Sequence, residues 1–434
     1  MTLESTRGAV RPLQWEGWRW AALMYLLGVT VAAWMSFGMP YVLGVPSQWI
    51  MSRDVWTTTN AAQYSWNGGA GFVFSANPWF AALPGFVYLY APVVALGGHF
   101  GLVASYPIPL DKPSMWLVSG PFFFLCGATA VLGVDYLAET LQVNAARRKL
   151  ITLAVAVAVV GPTPGFEGHP EDMLALAFVC LSFALAFRGH FAGAAVALGF
   201  AVLMQTWAGL AIPVLVAASP PGVRLRTLAR TAAAPAVLGV TLLAVDFHQA
   251  SVDLLRQPMP DIGQHLPWWG LAPKFLISTV YGTQHMVAGS TTRSLAVVVA
   301  VAAGWFVRNR RDPSSVTVAL SVAMFARGFF EVEYWPYYFA PAVVLVVVAG
   351  ALTTQGATKR FATLCVGACL LYLSSTGSLL GGLLPPWLEM AVVATTGALC
   401  FASLTRSGAA AEKWRLARAG LTGARRPSEI LQAG

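Results

Sequence analysis

The sequence predicts an all-α integral membrane protein with about twelve transmembrane helices and long loops on the outer face. Hydrophobic residues make up 57% of the 434 residues and charged residues only 10%, against roughly 25% charged residues in soluble domains. Apolar segments near the length of a bilayer crossing, roughly 17 to 25 residues, recur from Trp18 almost to the end of the chain. We therefore expect one integral domain rather than several soluble ones.

The basic residues indicate how the chain is oriented. The net charge is +9, but Lys and Arg stand in short clusters between apolar spans, at 147–149, 224–230, 308–311, 359–360 and 406–426. Such clusters mark cytoplasmic loops, so the positive charge predicts no nucleic-acid partner. All five cysteines lie inside apolar segments, without the spacing of a disulfide framework or a zinc site.

The chain divides into a cytoplasmic N-terminus (1–17), a polytopic domain (18–404) and a basic cytoplasmic tail (405–434). The N-terminal arginines precede an apolar run that is longer than the apolar core of a signal peptide, which favours an uncleaved first helix. We expect a multi-pass protein of the plasma membrane.

In chain order, a first helix is predicted over 18–37, followed by a polar outer loop over 41–80. The next stretch, 79–103, is apolar but interrupted by Pro84, Pro92 and Gly97-Gly98, and it is either one crossing or a half-inserted element. Helices are then predicted over 114–137, 150–163, 172–187, 191–204, 206–219 and 231–247. A second outer loop covers 248–290, and the last helices are predicted over 294–307, 314–330, 337–353, 361–380 and 387–404. This makes about thirteen segments, whereas two cytoplasmic termini require an even number of crossings. We therefore suspect that the interrupted stretch 79–103 is the segment that does not cross the membrane completely.

The first outer loop carries Asp54, just beyond the first helix. A carboxylate in this position can act as a general base that takes a proton from an attacking hydroxyl. The alternative is a surface Asp paired with Arg53. Polar and aromatic neighbours that can bond hydroxyls or stack on sugar rings are Arg53, Trp56, Asn60, Gln63 and Tyr64.

A second charged stretch, Glu167-Gly-His169-Pro-Glu171-Asp172, is predicted to begin a helix on the same face. Glu171 and Asp172 can simply be stabilised by the positive end of the helix dipole. His169 and Glu171 are also candidates to contact the substrate. No HExxH-type spacing accompanies His169, so no metal site is predicted.

A third stretch, 327–338, is aromatic and charged, and adds Tyr334 and Tyr337 as candidate substrate contacts. Arg327 requires an anionic partner near the membrane surface, either Glu331 or a lipid phosphate. With the basic residues in or beside the second outer loop it forms the predicted set of phosphate contacts: Arg256, Lys274, His285, Arg293 and Arg327.

Three features in order resemble the GT-C glycosyltransferases that use polyprenyl-phosphate sugars: Asp54 to Pro92 with Asn60-Ala-Ala-Gln-Tyr64, Gly168-His-Pro-Glu171 running on to Pro213, and Pro336-Tyr-Tyr-Phe-Ala-Pro341. The likeness is greatest to bacterial polyprenol-phosphate-mannose-dependent α-mannosyltransferases of the phosphatidylinositol-mannoside type, and covers about 18–404. The chain departs from the family where Gly-Gln-x-Asn becomes Gly168-His-Pro-Glu171, and where Pro336 replaces a frequent His.

The resemblance implies a GT-C fold and Asp54 as the catalytic base of an inverting transfer. A single sugar, mannose by analogy, would move from a polyprenyl-phosphate donor to a glycolipid or glycan acceptor, without a cofactor. The alternatives are a transporter or lipid flippase that uses the outer carboxylates, for which Asp135 is a mid-helix candidate, and a pseudo-enzyme that scaffolds envelope assembly. Neither the oligomeric state nor the linkage follows from the sequence.

Overall fold

The computed structural model describes residues 16–42, 53–76, 83–103, 115–161, 163, 168–256, 258–260, 286–310, 312–330, 336–353 and 361. These residues are almost entirely helical. The α-helices are α1 (Gly17–Val42), α2 (Arg53–Tyr64), α3 (Val73–Ala76), α4 (Gly85–His99), α5 (Trp116–Thr140), α6 (Ala145–Val155), α7 (Pro170–Phe187), α8 (Phe191–Met204), α9 (Ile212–Ala218), α10 (Arg224–Val245), α11 (Phe247–Ser251), α12 (Gly289–Val307), α13 (Pro313–Phe330) and α14 (Ala340–Thr353).

Shorter elements extend or join these helices. Stretches of π- or 3₁₀-helix cover Ser65–Gly69, Ala70–Phe72, Ala156–Val160, Thr206–Ala211, Pro221–Val223, Val252–Arg256 and Pro336–Phe339. Two three-residue strands, β1 (Pro258–Pro260) and β2 (Met286–Ala288), pair antiparallel with Met259 opposite Val287.

Three helices in the described part of the chain are long and apolar enough to cross a membrane: α5, α7 and the helical stretch Pro221–Val245 that includes α10. Large apolar side chains are exposed on α10 and α12, among them Val237, Val240, Val298 and Trp305. A surface of this kind is costly in water but suits contact with lipid. Both observations are compatible with a membrane protein.

Helix α7 lies at the centre of the core, packed against α5 on one side and α8 on the other. Small residues allow the close approach of the helices. A Cβ at Gly133 of α5 would stand 3.2 Å from the Cα of Ala177 in α7, and a Cβ at Gly199 of α8 would stand 2.8 Å from the carbonyl oxygen of Thr231 in α10. Glycine at these two positions therefore lets α5 approach α7 and lets α8 approach α10 closely.

An ionic cluster of Arg19, Asp135, Glu139 and Arg148 ties α1, α5 and α6 together. Arg19 Nε donates to Asp135 Oδ2 over 2.9 Å, and Arg148 Nε donates to Asp135 Oδ1 over 3.0 Å. Arg148 Nη2 also reaches Glu139 Oε2 at 2.9 Å. Two guanidinium groups thus balance two carboxylates, which permits the complete burial of Asp135.

The predicted elements match the observed ones best in the middle of the chain, where α8 occupies 191–204 as predicted. The prediction for α10 is wrong at its start, because Arg226 and Arg230 lie exposed on the helix itself and not in a preceding loop. The predicted outer loop 41–80 is helical over 53–76. Predicted helices 361–380 and 387–404 lie outside the described residues, apart from Phe361.

Candidate functional site

The first component of the candidate site is Asp54, in the first turn of α2. This turn is the positive end of the helix dipole and favours an ionised carboxylate. Downstream, Thr59 Oγ1 donates to the Val55 carbonyl over 2.7 Å and Asn60 Nδ2 donates to the Trp56 carbonyl over 2.9 Å, so both polar side chains bond within the helix. The Asp54 side chain is 58% exposed, and a substrate can therefore reach it.

The second component is the start of α7. Gly168 has φ +81°, a left-handed conformation that favours glycine, and the His169 amide donates to the Thr163 carbonyl over 3.1 Å. Pro170 then begins the helix, as its fixed φ allows at a first position. This sharp entry places His169 just before the helix, with Glu171 and Asp172 in its first turn.

His169 lies between two carboxylates from different helices. Its Nε2 is 3.2 Å from Asp54 Oδ2, and its Nδ1 is 2.9 Å from Glu171 Oε1. One face of the imidazole stacks on Tyr337, with 3.6 Å between the ring centroids and 25° between the planes. The ring is thus fixed in position and orientation beside the candidate base.

The third component is Asp172, which is fully buried. Its Oδ1 accepts hydrogen bonds from Arg327 Nη1 over 3.2 Å and from Trp207 Nε1. The Arg327 guanidinium also lies over the rings of Trp207 and Tyr338, with 5.1 Å and 4.6 Å from its Cζ to the two centroids. Cation–π contacts of this kind stabilise an arginine that is shielded from water.

Among the described residues, the site holds more carboxylates than guanidinium groups. Asp54, Glu171 and Asp172 supply three carboxylates, and Arg327 supplies one guanidinium. Burial lowers the pKa of His169, but its interactions with Asp54 and Glu171 outweigh burial and raise that pKa well above its usual range. A proton on the imidazole therefore compensates part of the excess.

Three of these residues could also hold a metal ion. His169, Glu171 and Asp172 each bring a donor atom to within 4.8 Å of the other two. Asp172 Oδ2 lies 4.0 Å from His169 Nδ1. Asp172 Oδ2 and Glu171 Oε2 are both buried and have no hydrogen-bond partner among the described residues.

The structure brings together five of the predicted site residues: Asp54, His169, Glu171, Tyr337 and Arg327. Arg327 is paired with Asp172, which is neither of the two partners that the sequence suggested. Asn60 is almost completely buried, Trp56, Gln63 and Tyr64 are half-buried on α2, and Arg293 is half-buried near the start of α12.

Several predictions fall on residues that the structure does not describe. The side chains of Arg53 and Arg256 lie outside the described set, although both backbones are helical. Lys274, His285 and Tyr334 also lie outside it, as does Glu331, which the sequence suggested as a partner of Arg327. The assignment of the other residues to the substrate or to the donor phosphate remains a prediction.

Sequence reasoning singled out Asp172 as an outer-face carboxylate at the start of a helix but did not include it among the site residues, and it missed Trp207 and Tyr338. A signal for Asp172 was present, because an acidic residue inside an 18-residue apolar helix is costly unless it has a partner. The partners lie 35 and 155 residues away in the chain. No pattern in the sequence joins such distant positions.

No protein-family model matches this chain, and a comparison with curated proteins finds no significant match either.

Proposed function

We propose that the chain is an inverting membrane glycosyltransferase of GT-C type, with about twelve transmembrane helices in the plasma membrane. Its donor is a polyprenyl-phosphate sugar, and its acceptor is a glycolipid or a cell-envelope glycan on the periplasmic or extracellular side. Mannose is the first sugar to test. The observation that carries the proposal is the exposed Asp54 carboxylate, held beside a buried cluster of aromatic rings and a guanidinium.

The reaction requires a base that substrate can reach. Asp54 takes the proton of the acceptor hydroxyl, and that oxygen forms a bond to the anomeric carbon of the donor sugar. The bond from the anomeric carbon to the phosphate oxygen breaks, and the lipid phosphate leaves with the electron pair. A carboxylate within hydrogen-bond reach of the acceptor is the geometric requirement for this step. The exposure of Asp54 beside a buried, charged cluster supports this role.

The proposed site also has groups suited to a sugar and a phosphate. Tyr337 and Tyr338 present aromatic rings 4.6 Å apart, one of them stacked on His169. Arg327 lies in the same cluster, and donors fixed in a shielded site stabilise charge that develops on a leaving phosphate. Arg293, Arg256, Lys274 and His285 stay candidates for further phosphate contacts.

A transporter is the alternative from the sequence, and Asp135 was its mid-helix candidate. That carboxylate is buried between Arg19 and Arg148, and its charge is balanced within the ionic cluster. Asp135 therefore holds helices together, and its pairing does not support a role in carrying protons or cations.

A transfer assay with the purified full chain tests the proposal. The chain is reconstituted in vesicles with a radiolabelled polyprenyl-phosphate sugar and a membrane lipid extract as acceptor. We expect label in a new glycolipid with the wild-type chain and none with Asp54→Asn. The matched control is Asp312→Asn, just before the start of α13, which should transfer label as wild type does. Movement of the intact donor across the vesicle membrane, without transfer from any of the mannose, glucose and arabinose donors, would instead identify a transporter.

A further inference from the structure

We infer that His169, Glu171 and Asp172 form a binding site for a divalent transition-metal ion of the Mn²⁺ or Zn²⁺ type. This inference runs against the expectation of a metal-free protein. It concerns binding alone and does not rest on the proposed glycosyltransferase activity.

The spacing of the donor atoms suits a first coordination shell. Metal–ligand bonds of about 2.0–2.2 Å place neighbouring ligands roughly 3–4 Å apart. His169 Nδ1 lies 2.9 Å from Glu171 Oε1 and 4.0 Å from Asp172 Oδ2. A cation between these atoms would bind one imidazole and two carboxylates, and would keep open positions for water or a phosphate oxygen.

The partners of Asp172 leave one oxygen for a cation. Arg327 and Trp207 both donate to Oδ1, while Oδ2 is buried and has no hydrogen-bond partner among the described residues. A buried carboxylate oxygen without a donor is unfavourable, and such groups are normally satisfied. A metal ion supplies the missing interaction. Glu171 Oε2 is also buried without a hydrogen-bond partner in the described structure and can be satisfied in the same way.

The surroundings of His169 suit a metal ligand as well. A ligating histidine usually donates its second ring N–H to a carboxylate, which fixes the tautomer and the ring orientation. With Nδ1 on the metal, the other ring nitrogen, Nε2, lies 3.2 Å from Asp54 Oδ2. Tyr337 holds the ring plane from one side. Asp54 then orients the ligand and is not itself a ligand.

Charge favours a divalent cation in this position. Among the described residues of the site, three carboxylates stand against one guanidinium, an excess of two negative charges. A divalent ion neutralises this excess without a charge on His169. The mixture of imidazole and carboxylate ligands favours Mn²⁺ or Zn²⁺, since Mg²⁺ and Ca²⁺ prefer oxygen ligands.

Direct metal binding tests the inference. The full chain is purified in detergent, stripped with a chelator and dialysed against Mn²⁺ or Zn²⁺, and the bound metal is counted by mass spectrometry. We expect about one ion per chain, with affinity reduced at least roughly tenfold in Glu171→Gln and Asp172→Asn. Asp312→Asn is the matched control and should bind as wild type does. No binding of either ion by the folded wild-type chain, or equal binding by the Glu171→Gln/Asp172→Asn double variant, would overturn the inference.

A second measurement identifies the ligand even where a variant is unstable. Pulsed electron paramagnetic resonance of the Mn²⁺-loaded wild-type chain should show coupling to an imidazole nitrogen. A bound Mn²⁺ without nitrogen coupling would exclude His169 as a ligand and contradict the site. Asp54→Asn should weaken binding of the ion by roughly ten- to a hundredfold, as the loss of an orienting carboxylate does, while it abolishes the proposed sugar transfer. A wild-type chain that binds the ion but transfers no sugar would contradict the proposed function alone, and one that transfers sugar but binds no ion would contradict the metal site alone.

Discussion

Arg327 Nη1 lies 3.2 Å from Asp172 Oδ1 and joins the last turn of α13 to the first turn of α7 across 155 residues of sequence. Both side chains are shielded from solvent. The pair therefore holds the two helix ends together, and it sets the position of His169, which precedes Asp172 by three residues.

Replacing Arg327 with Met should leave the Asp172 carboxylate buried without its charged partner. Removal of one member of a buried ion pair costs about 3–5 kcal/mol, and we expect a loss of this size in the free energy of unfolding in detergent. The double variant Arg327→Met/Asp172→Asn should be less destabilised than Arg327→Met alone. If the double variant lost as much free energy of unfolding as the two single variants combined, the two residues would not be coupled.

Asp54→Asn should abolish sugar transfer and leave the fold intact. The substitution removes the base but keeps the size of an exposed side chain, and general-base catalysis contributes about 10²–10⁴-fold to a rate. Initial rates of label transfer measure the loss. The thermal unfolding temperature should stay close to that of wild type, and unchanged transfer in a folded Asp54→Asn chain would refute the role of Asp54.

Asp253 should make stability depend on pH. Burial, opposed by a hydrogen bond from Gln249 and assisted by Asp246, raises the pKa of Asp253 to about 7 from 3.8. Between these two values the unfolded chain ionises while the folded chain keeps its proton, so the free energy of unfolding falls as pH rises, by at most about 1.4 kcal/mol per unit. It levels off above pH 7.

Asp253→Asn removes this contribution. The variant should be more stable than wild type at pH 8, and the difference should shrink as the pH is lowered toward 4. Thermal unfolding of both proteins over this range provides the measurement. A difference that stays constant with pH would show that Asp253 titrates normally.

Asp135→Asn should destabilise the chain without any effect specific to transport or catalysis. The substitution leaves Arg19 and Arg148 facing one carboxylate, Glu139, and an uncompensated buried charge costs about 3–5 kcal/mol. The unfolding temperature in detergent should fall. Transfer activity per folded molecule should match that of wild type, and a selective loss of activity at normal stability would contradict a structural role.

The sequence alone was sufficient to predict the helical class and most helix positions, because long apolar segments separated by Pro, Gly and charged residues are typical of membrane helices. It also identified Asp54, His169 and Arg327 individually as unusual. It could not show that Asp54 and His169 meet, since they are 115 residues apart and their contact depends on how α2 and α7 pack.

The first outer loop shows a different limit. The polar composition of 53–64 predicted a loop, but the segment contains no Pro or Gly, and its Thr59 and Asn60 side chains bond back to the helix carbonyls. A polar segment is therefore expected to lie away from lipid, but it can still form a helix.

The ionic cluster around Asp135 has a mechanical consequence. Arg19 lies on the first turn of α1 and is almost completely buried against α5 and α6. If α1 moved along its axis by a single turn, about 5.4 Å, Arg19 would lose its contacts with Asp135 and Glu139. A transport cycle that rocks this helix against its neighbours would have to separate these charges in every turnover, whereas an enzyme with a stationary scaffold keeps them paired throughout.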